Sequence, residues 1–147
     1  MSYRTILVGT DGSDTSLRAV DRAAELADAA GARLVIATAY RPSARAEAAA
    51  DVLKDEAHLV RGAAPADDDL RAASSRVEAV VPRARVDVVA AEGEPVDVLV
   101  DVARAQDVDL LVVGNRGLGS LAGRVLGSVP SEVARRAGVD VLIVHTT

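Results

Sequence analysis

The chain has 147 residues, half of them hydrophobic (50%), with 17 basic and 22 acidic side chains and a formal net charge of -5. That length fits one domain, residues 1–147, burying about two-thirds of its unfolded surface, and the scattered cations form no basic stripe, so no nucleic-acid partner is expected. Only Tyr3 and Tyr40 are aromatic and cysteine is absent, which excludes base-stacking platforms, disulfide frameworks and thiolate chemistry and leaves a core of Val, Leu, Ile and Ala.

The opening MSYRTILVGTDG carries no secretory-signal pattern, and no run reaches the roughly 20 apolar residues of a membrane helix. A cytoplasmic protein without membrane contact is expected. The first predicted element is a strand from Thr5 to Gly9, apolar and β-branched on both faces as a covered parallel strand should be. Asp11, Gly12, Ser13 and Asp14 break it. Helical spacing then runs from Thr15 to Ala30 through Leu17, Val20, Ala24, Leu26 and Ala27, with Ser13 or Asp14 as N-cap and Gly31 past the end. Arg33 to Tyr40 reads as a second buried strand.

Pro42 ends that strand, and Arg41 to Pro65 reads as a loop with a short helix. Asp67, Asp68 and Asp69 then open a helix to about Val81, where acidic residues in a first turn complement the helix dipole. Three successive helical residues point in different directions, so this acidic run reads as a cap and solvated face and no metal site is assigned. Arg85 to Ala90 is a third strand, Pro95 to Gln106 a helix begun by proline, and Asp109 to Val113 a fourth strand. A last helix ends near Gly138, and Asp140 to His145 is a fifth strand. DVLIVH echoes the earlier DLLVVG at a spacing of about 30 residues, the size of a βαβ unit.

Five strands alternating with helices predict an α/β fold, a doubly wound parallel sheet with helices on both faces. In the order 3-2-1-4-5, strands one and four are neighbours whose connections leave in opposite directions, which opens a crevice at their carboxyl ends. Those ends are Gly9-Thr10-Asp11 and Gly114-Asn115-Arg116.

Three glycine patterns compete for the segment after the fourth strand. A P-loop needs lysine where Ser120 stands, so that reading fails. Gly117-Leu-Gly119-Ser-Leu-Ala122 fits a dinucleotide fingerprint, yet it follows the fourth strand and lacks a second strand that ends in an acidic residue about 20 positions on. The third pattern is Gly114-x2-Gly117-x9-Gly127-Ser128. Here the first NH groups of a helix, which lack partners within it, and the positive end of the helix dipole would hold an anion without a lysine.

With an Asp after the first strand, this third pattern resembles the nucleotide-binding motif of the universal stress protein family. The resemblance covers the whole chain and is strongest to the short single-domain actinobacterial members. It implies an adenine nucleotide, ATP or cyclic AMP, with Mg2+ accompanying ATP. It also implies that Asp11, with Gly9 and Thr10 beside it, contacts the ribose or phosphate region, and that Ala39 and Tyr40 border the adenine. Gly114, Asn115, Arg116 and Gly117 would line the sugar and phosphates, and Gly127, Ser128 and Val129 would supply NH groups and a hydroxyl. The fifth strand, apolar and at the sheet edge, is expected to pair antiparallel with its copy in a two-fold homodimer, as family members commonly do.

No catalytic residue is assigned. His58 and His145 lie outside the nucleotide motif, no HExxH or GxSxG pattern occurs, and neither a Walker-type cation nor a positioned base is visible. A nucleotide-binding regulatory protein of stress response is therefore expected, ahead of a slow ATPase or a chaperone-like interaction protein.

Overall fold

The computed structural model describes residues 2–41, 63–115 and 128–146. Among them, five strands and four helices alternate: β1 (Thr5–Gly9), α1 (Asp14–Ala30), β2 (Arg33–Tyr40), α2 (Ala63–Val80), β3 (Val86–Glu92), α3 (Pro95–Ala105), β4 (Leu110–Gly114), α4 (Ser128–Arg136) and β5 (Asp140–Val144). The sheet order is β3-β2-β1-β4-β5, and every neighbouring pair is parallel. This is the doubly wound α/β arrangement that the alternation of buried runs predicts.

The sheet is covered on both faces because its strands are apolar at successive positions. Ile6, Val8, Leu34, Ile36, Leu110 and Val112 point to one side and pack with α1 and α2. Leu7, Val35, Ala37, Leu111 and Val113 point to the other and pack with α3 and α4. All of these strand residues are buried, and each fully buried Leu, Ile or Val side chain is worth about 1.5–3 kcal/mol against exposure. The most completely buried large side chains are aliphatic throughout, as a chain with two tyrosines requires.

Helix α1 starts at Ser13, whose Oγ accepts the Ser16 NH at 3.2 Å, and stops at Gly31, which takes the left-handed conformation with φ +66° that spares glycine any Cβ penalty. Its buried face is a stripe of small residues, Ala19, Ala23, Ala24 and Ala27 around Val20. Leu17 and Leu26 flank that stripe half-buried, so the helix lies close to the sheet on its alanines. Helix α2 buries Ala66, Leu70, Ala73 and Val77 at helical spacing. A two-pronged ion pair, Arg76 Nε and Nη2 to Asp21 at 2.7 Å each, joins α2 to α1.

Several boundaries differ from expectation. Helix α2 begins at Ala63, so Asp67, Asp68 and Asp69 lie beyond its first turn and do not open it; alanine is the strongest helix former and Pro65 is tolerated at a helix start, so the helix extends back past the acidic run. Residues 42–62 of the predicted loop and short helix, including His58, lie outside the described residues. Strand β3 runs on to Glu92, because β2 continues to pair with it through Tyr40. Strand β4 begins at Leu110. Asp109 instead turns its carboxylate back to accept the NH groups of Arg4 and Thr5 at 2.9–3.2 Å.

Candidate functional site

Strands β1 and β4 are paired in the register Val8 to Val112, so the segments that leave them, Thr10–Gly12 and Gly114–Asn115, stand side by side on the carboxyl edge of the sheet. Helix α4 begins on that same edge, since it must return the chain to the amino end where β5, parallel to β4, starts. The start of α1, capped by Ser13, is there too. Two helix amino ends at a topological switch point are a suitable place for an anion.

The β1 rim is built around buried hydroxyls. Ser16 Oγ donates to the Ser13 carbonyl at 2.9 Å and accepts the Asp11 NH at 3.3 Å. With its one proton committed, Ser16 must also be the acceptor in its 2.9 Å bond with Thr10 Oγ1, and Thr10 is the donor. Thr10 Oγ1 in turn accepts the Gly12 NH at 3.1 Å. Thr10 is wholly buried, so it holds the loop and its hydroxyl proton points inward. Asp11 is exposed, and its Oδ1 accepts the Ser13 NH at 3.0 Å, which fixes the carboxylate over the start of α1. Gly9 ends β1, buried opposite Ala37.

Sequence reasoning missed Asp69. Its carboxylate lies over Gly12, where an added Cβ would stand 2.3 Å from Oδ1. Burial, then the negative charges of Asp11 and Asp68, hold the Asp69 carboxyl above its ordinary pKa. Asp69 precedes the buried Leu70 and stands one helical turn from Ala66 and Ala73, so the helical phase of α2 places it beside the buried stripe and toward α1. The acidic run had disguised that phase.

On the β4 rim, a Cβ built at Gly114 would meet Thr146 Cγ2 at 3.3 Å. The space spared by this glycine is taken up by the chain itself. Asn115 is buried, and its Oδ1 accepts two hydrogen bonds from Thr146, from NH at 2.9 Å and from Oγ1 at 3.1 Å. Its own NH donates to the Val144 carbonyl at 2.7 Å. Ala39 and Tyr40 finish β2 half-buried on the same edge, and the Tyr40 carbonyl accepts the Gly93 NH at 2.9 Å.

On the helix side, Ser128 is the first residue of α4 and exposed. Val129 is buried against the second face of the sheet, so any contact it makes at the crevice is through its backbone. Arg116, Gly117 and Gly127 lie outside the described residues. No helix among the described residues is long and apolar enough to cross a membrane.

A five-stranded parallel sheet in the order β3-β2-β1-β4-β5, covered by helices on both faces, defines a doubly wound α/β domain. The chain belongs to the universal stress protein family, whose sequence model matches residues 2–145. It is 53% identical over 146 residues to a universal stress protein of Mycobacterium tuberculosis, covering 99% of each chain. Among solved structures, a universal stress protein in complex with cAMP is 46% identical and superimposes with a TM-score of 0.76 over 100% of both chains. The universal stress protein of Archaeoglobus fulgidus in complex with dAMP is 26% identical, with a TM-score of 0.69 over 97% of this chain and 98% of that one.

Proposed function

We propose that this protein binds an adenine nucleotide, ATP or cyclic AMP, in the β1/β4 crevice and acts in the cytoplasm as a regulatory sensor in stress response and not as an enzyme. The observation that carries the reading is the meeting of the Thr10–Gly12 and Gly114–Asn115 rims with the amino end of α4 on one edge of the sheet. The cAMP and dAMP complexes of two relatives with this fold support the choice of base.

In this reading the phosphates lie against the start of α4, where Ser128 offers a hydroxyl and the first NH groups are unpaired within the helix. Asp11 faces the ribose or phosphate region, and Ala39 and Tyr40 border the adenine. The motif residues Arg116, Gly117 and Gly127 complete the phosphate side. Among the described residues no group of three or more His, Asp or Glu is placed to hold a metal, so Mg2+ would arrive as part of its ATP complex, held largely by phosphate oxygens. Against catalysis stands the proton accounting: the Thr10 and Ser16 hydroxyl protons are both spent inside the loop.

The substitution Ser128→Asp tests the site without relying on damage to the fold. A carboxylate at a helix start stabilises the helix by about 0.3–1 kcal/mol, yet it repels phosphate at the same point. Calorimetry with ATP and cyclic AMP is expected to give at least a tenfold loss of affinity, with no loss of thermal stability. Unchanged affinity for both nucleotides would place the site elsewhere.

A further inference from the structure

We propose that Thr146, held in turn by Arg18, is a positioning residue for the nucleotide crevice: it fixes the Gly114–Asn115 rim in the conformation that receives the sugar and phosphates. The proposal rests on the nucleotide reading above and adds residues that the glycine motif does not contain.

Three features tie the rim to the segment that follows β5. Thr146 donates both its NH and its Oγ1 proton to the Asn115 amide oxygen, at 2.9 and 3.1 Å, which fills the two lone pairs of that oxygen. The methyl of Thr146 lies against Gly114, 3.3 Å from where a Cβ would be. The Thr146 carbonyl accepts a hydrogen bond from the Arg18 guanidinium of α1, which links the segment to the helix whose start forms the other rim. Asn115 and Thr146 are almost wholly buried, at 6% and 2% exposure. In such a site a lost partner is not replaced freely by water.

The consequence is a division of labour. The Asn115 amide oxygen is spent on Thr146, so the rim meets the ligand through other atoms. What Thr146 supplies is orientation. An interaction of this kind is lost in one step when the hydroxyl is replaced by a methyl of the same size, and it is recovered by serine.

The experiment compares wild type, Thr146→Val, Thr146→Ser and Arg18→Gln for affinity toward ATP, cyclic AMP and adenosine, with thermal stability measured on each. Thr146→Val is expected to weaken ATP and cyclic AMP binding about 2- to 10-fold, the range that one buried hydrogen bond of 0.5–1.5 kcal/mol allows, while adenosine, which meets this rim only through its sugar, loses less. Thr146→Ser is expected to restore nucleotide affinity. Arg18 is exposed, so Arg18→Gln keeps the fold should Thr146→Val lose it, and it is expected to show a smaller loss with the same selectivity for phosphate-bearing ligands. Variants that lose stability but keep wild-type affinity for ATP and cyclic AMP, or that lose adenosine equally, overturn the positioning role. Absence of nucleotide binding by wild type overturns the nucleotide reading itself, and this proposal with it.

Discussion

The carboxylate of Asp69 occupies the space that a side chain on Gly12 would need, with Oδ1 2.3 Å from an added Cβ. Gly12 also has φ +82°, in the left-handed region that costs an L-residue about 1–2 kcal/mol. The carboxylate is the far end of a half-buried side chain that can swing aside, so Gly12→Ala is expected to destabilise the fold mainly by this backbone term, measured by urea unfolding. Its cost is expected to be nearly the same in an Asp69→Ala background. A clearly larger cost in the wild-type background would show that the Asp69 carboxylate cannot give way.

Asp69→Asn is expected to stabilise the protein at neutral pH. The Asp69 carboxyl holds its proton more tightly in the folded chain than at its ordinary pKa of 3.8, because of burial and then the charges of Asp11 and Asp68. Folding of wild type therefore gains stability as pH falls through the raised value, and the gain is complete below 3.8. At neutral pH the ionised group is a net cost, which solvent screening keeps under about 1 kcal/mol. The advantage of Asn is expected to shrink as pH falls through that window and to be smaller in high salt. A pH-independent difference between the two proteins would remove Asp69 from this electrostatic account.

The sheet was legible because β1, β2 and β4 are apolar on both faces, and a helical pattern follows each; alternation of that kind admits few topologies. The crevice followed from the strand order alone. Other features were not legible, since they are made by tertiary contacts that no local pattern encodes. Asp69 sits at Gly12 because α2 packs on α1, and Asn115 turns to Thr146 because β5 pairs with β4. The start of α2 at Ala63 was masked by the conventional meaning of an acidic run, which suggested a first turn where the alanines had already begun the helix.

Strand β5 stands at one edge of the sheet with Val141, Leu142 and Ile143 half-buried. An edge strand offers unpaired NH and carbonyl groups to a second chain, and a two-fold pairing of like strands closes that edge. Sedimentation velocity on wild type at high micromolar concentration is expected to give a dimer. Leu142→Pro, which removes a strand NH and an apolar contact, is expected to abolish it, with circular dichroism distinguishing a folded monomer from an unfolded chain. A wild-type monomer at that concentration would refute strand-mediated assembly.

Nucleotide binding without rapid turnover is the remaining expectation. A base for ATP hydrolysis must reach a water in line with the terminal phosphate and must have capacity to take its proton. On the β1 rim, Thr10 and Ser16 have committed their hydroxyl protons inward, and Asp11 Oδ1 is engaged by the backbone NH of Ser13, which turns the carboxylate toward the start of α1. Turnover is therefore expected well below the roughly 1–100 per second of dedicated phosphotransfer enzymes. Phosphate release by wild type, Asp11→Asn and Ser128→Ala, purified identically, provides the comparison. If wild type turns over ATP several times per second and Asp11→Asn abolishes this while still binding ATP, then Asp11 acts on the reacting atoms and the protein is an ATPase.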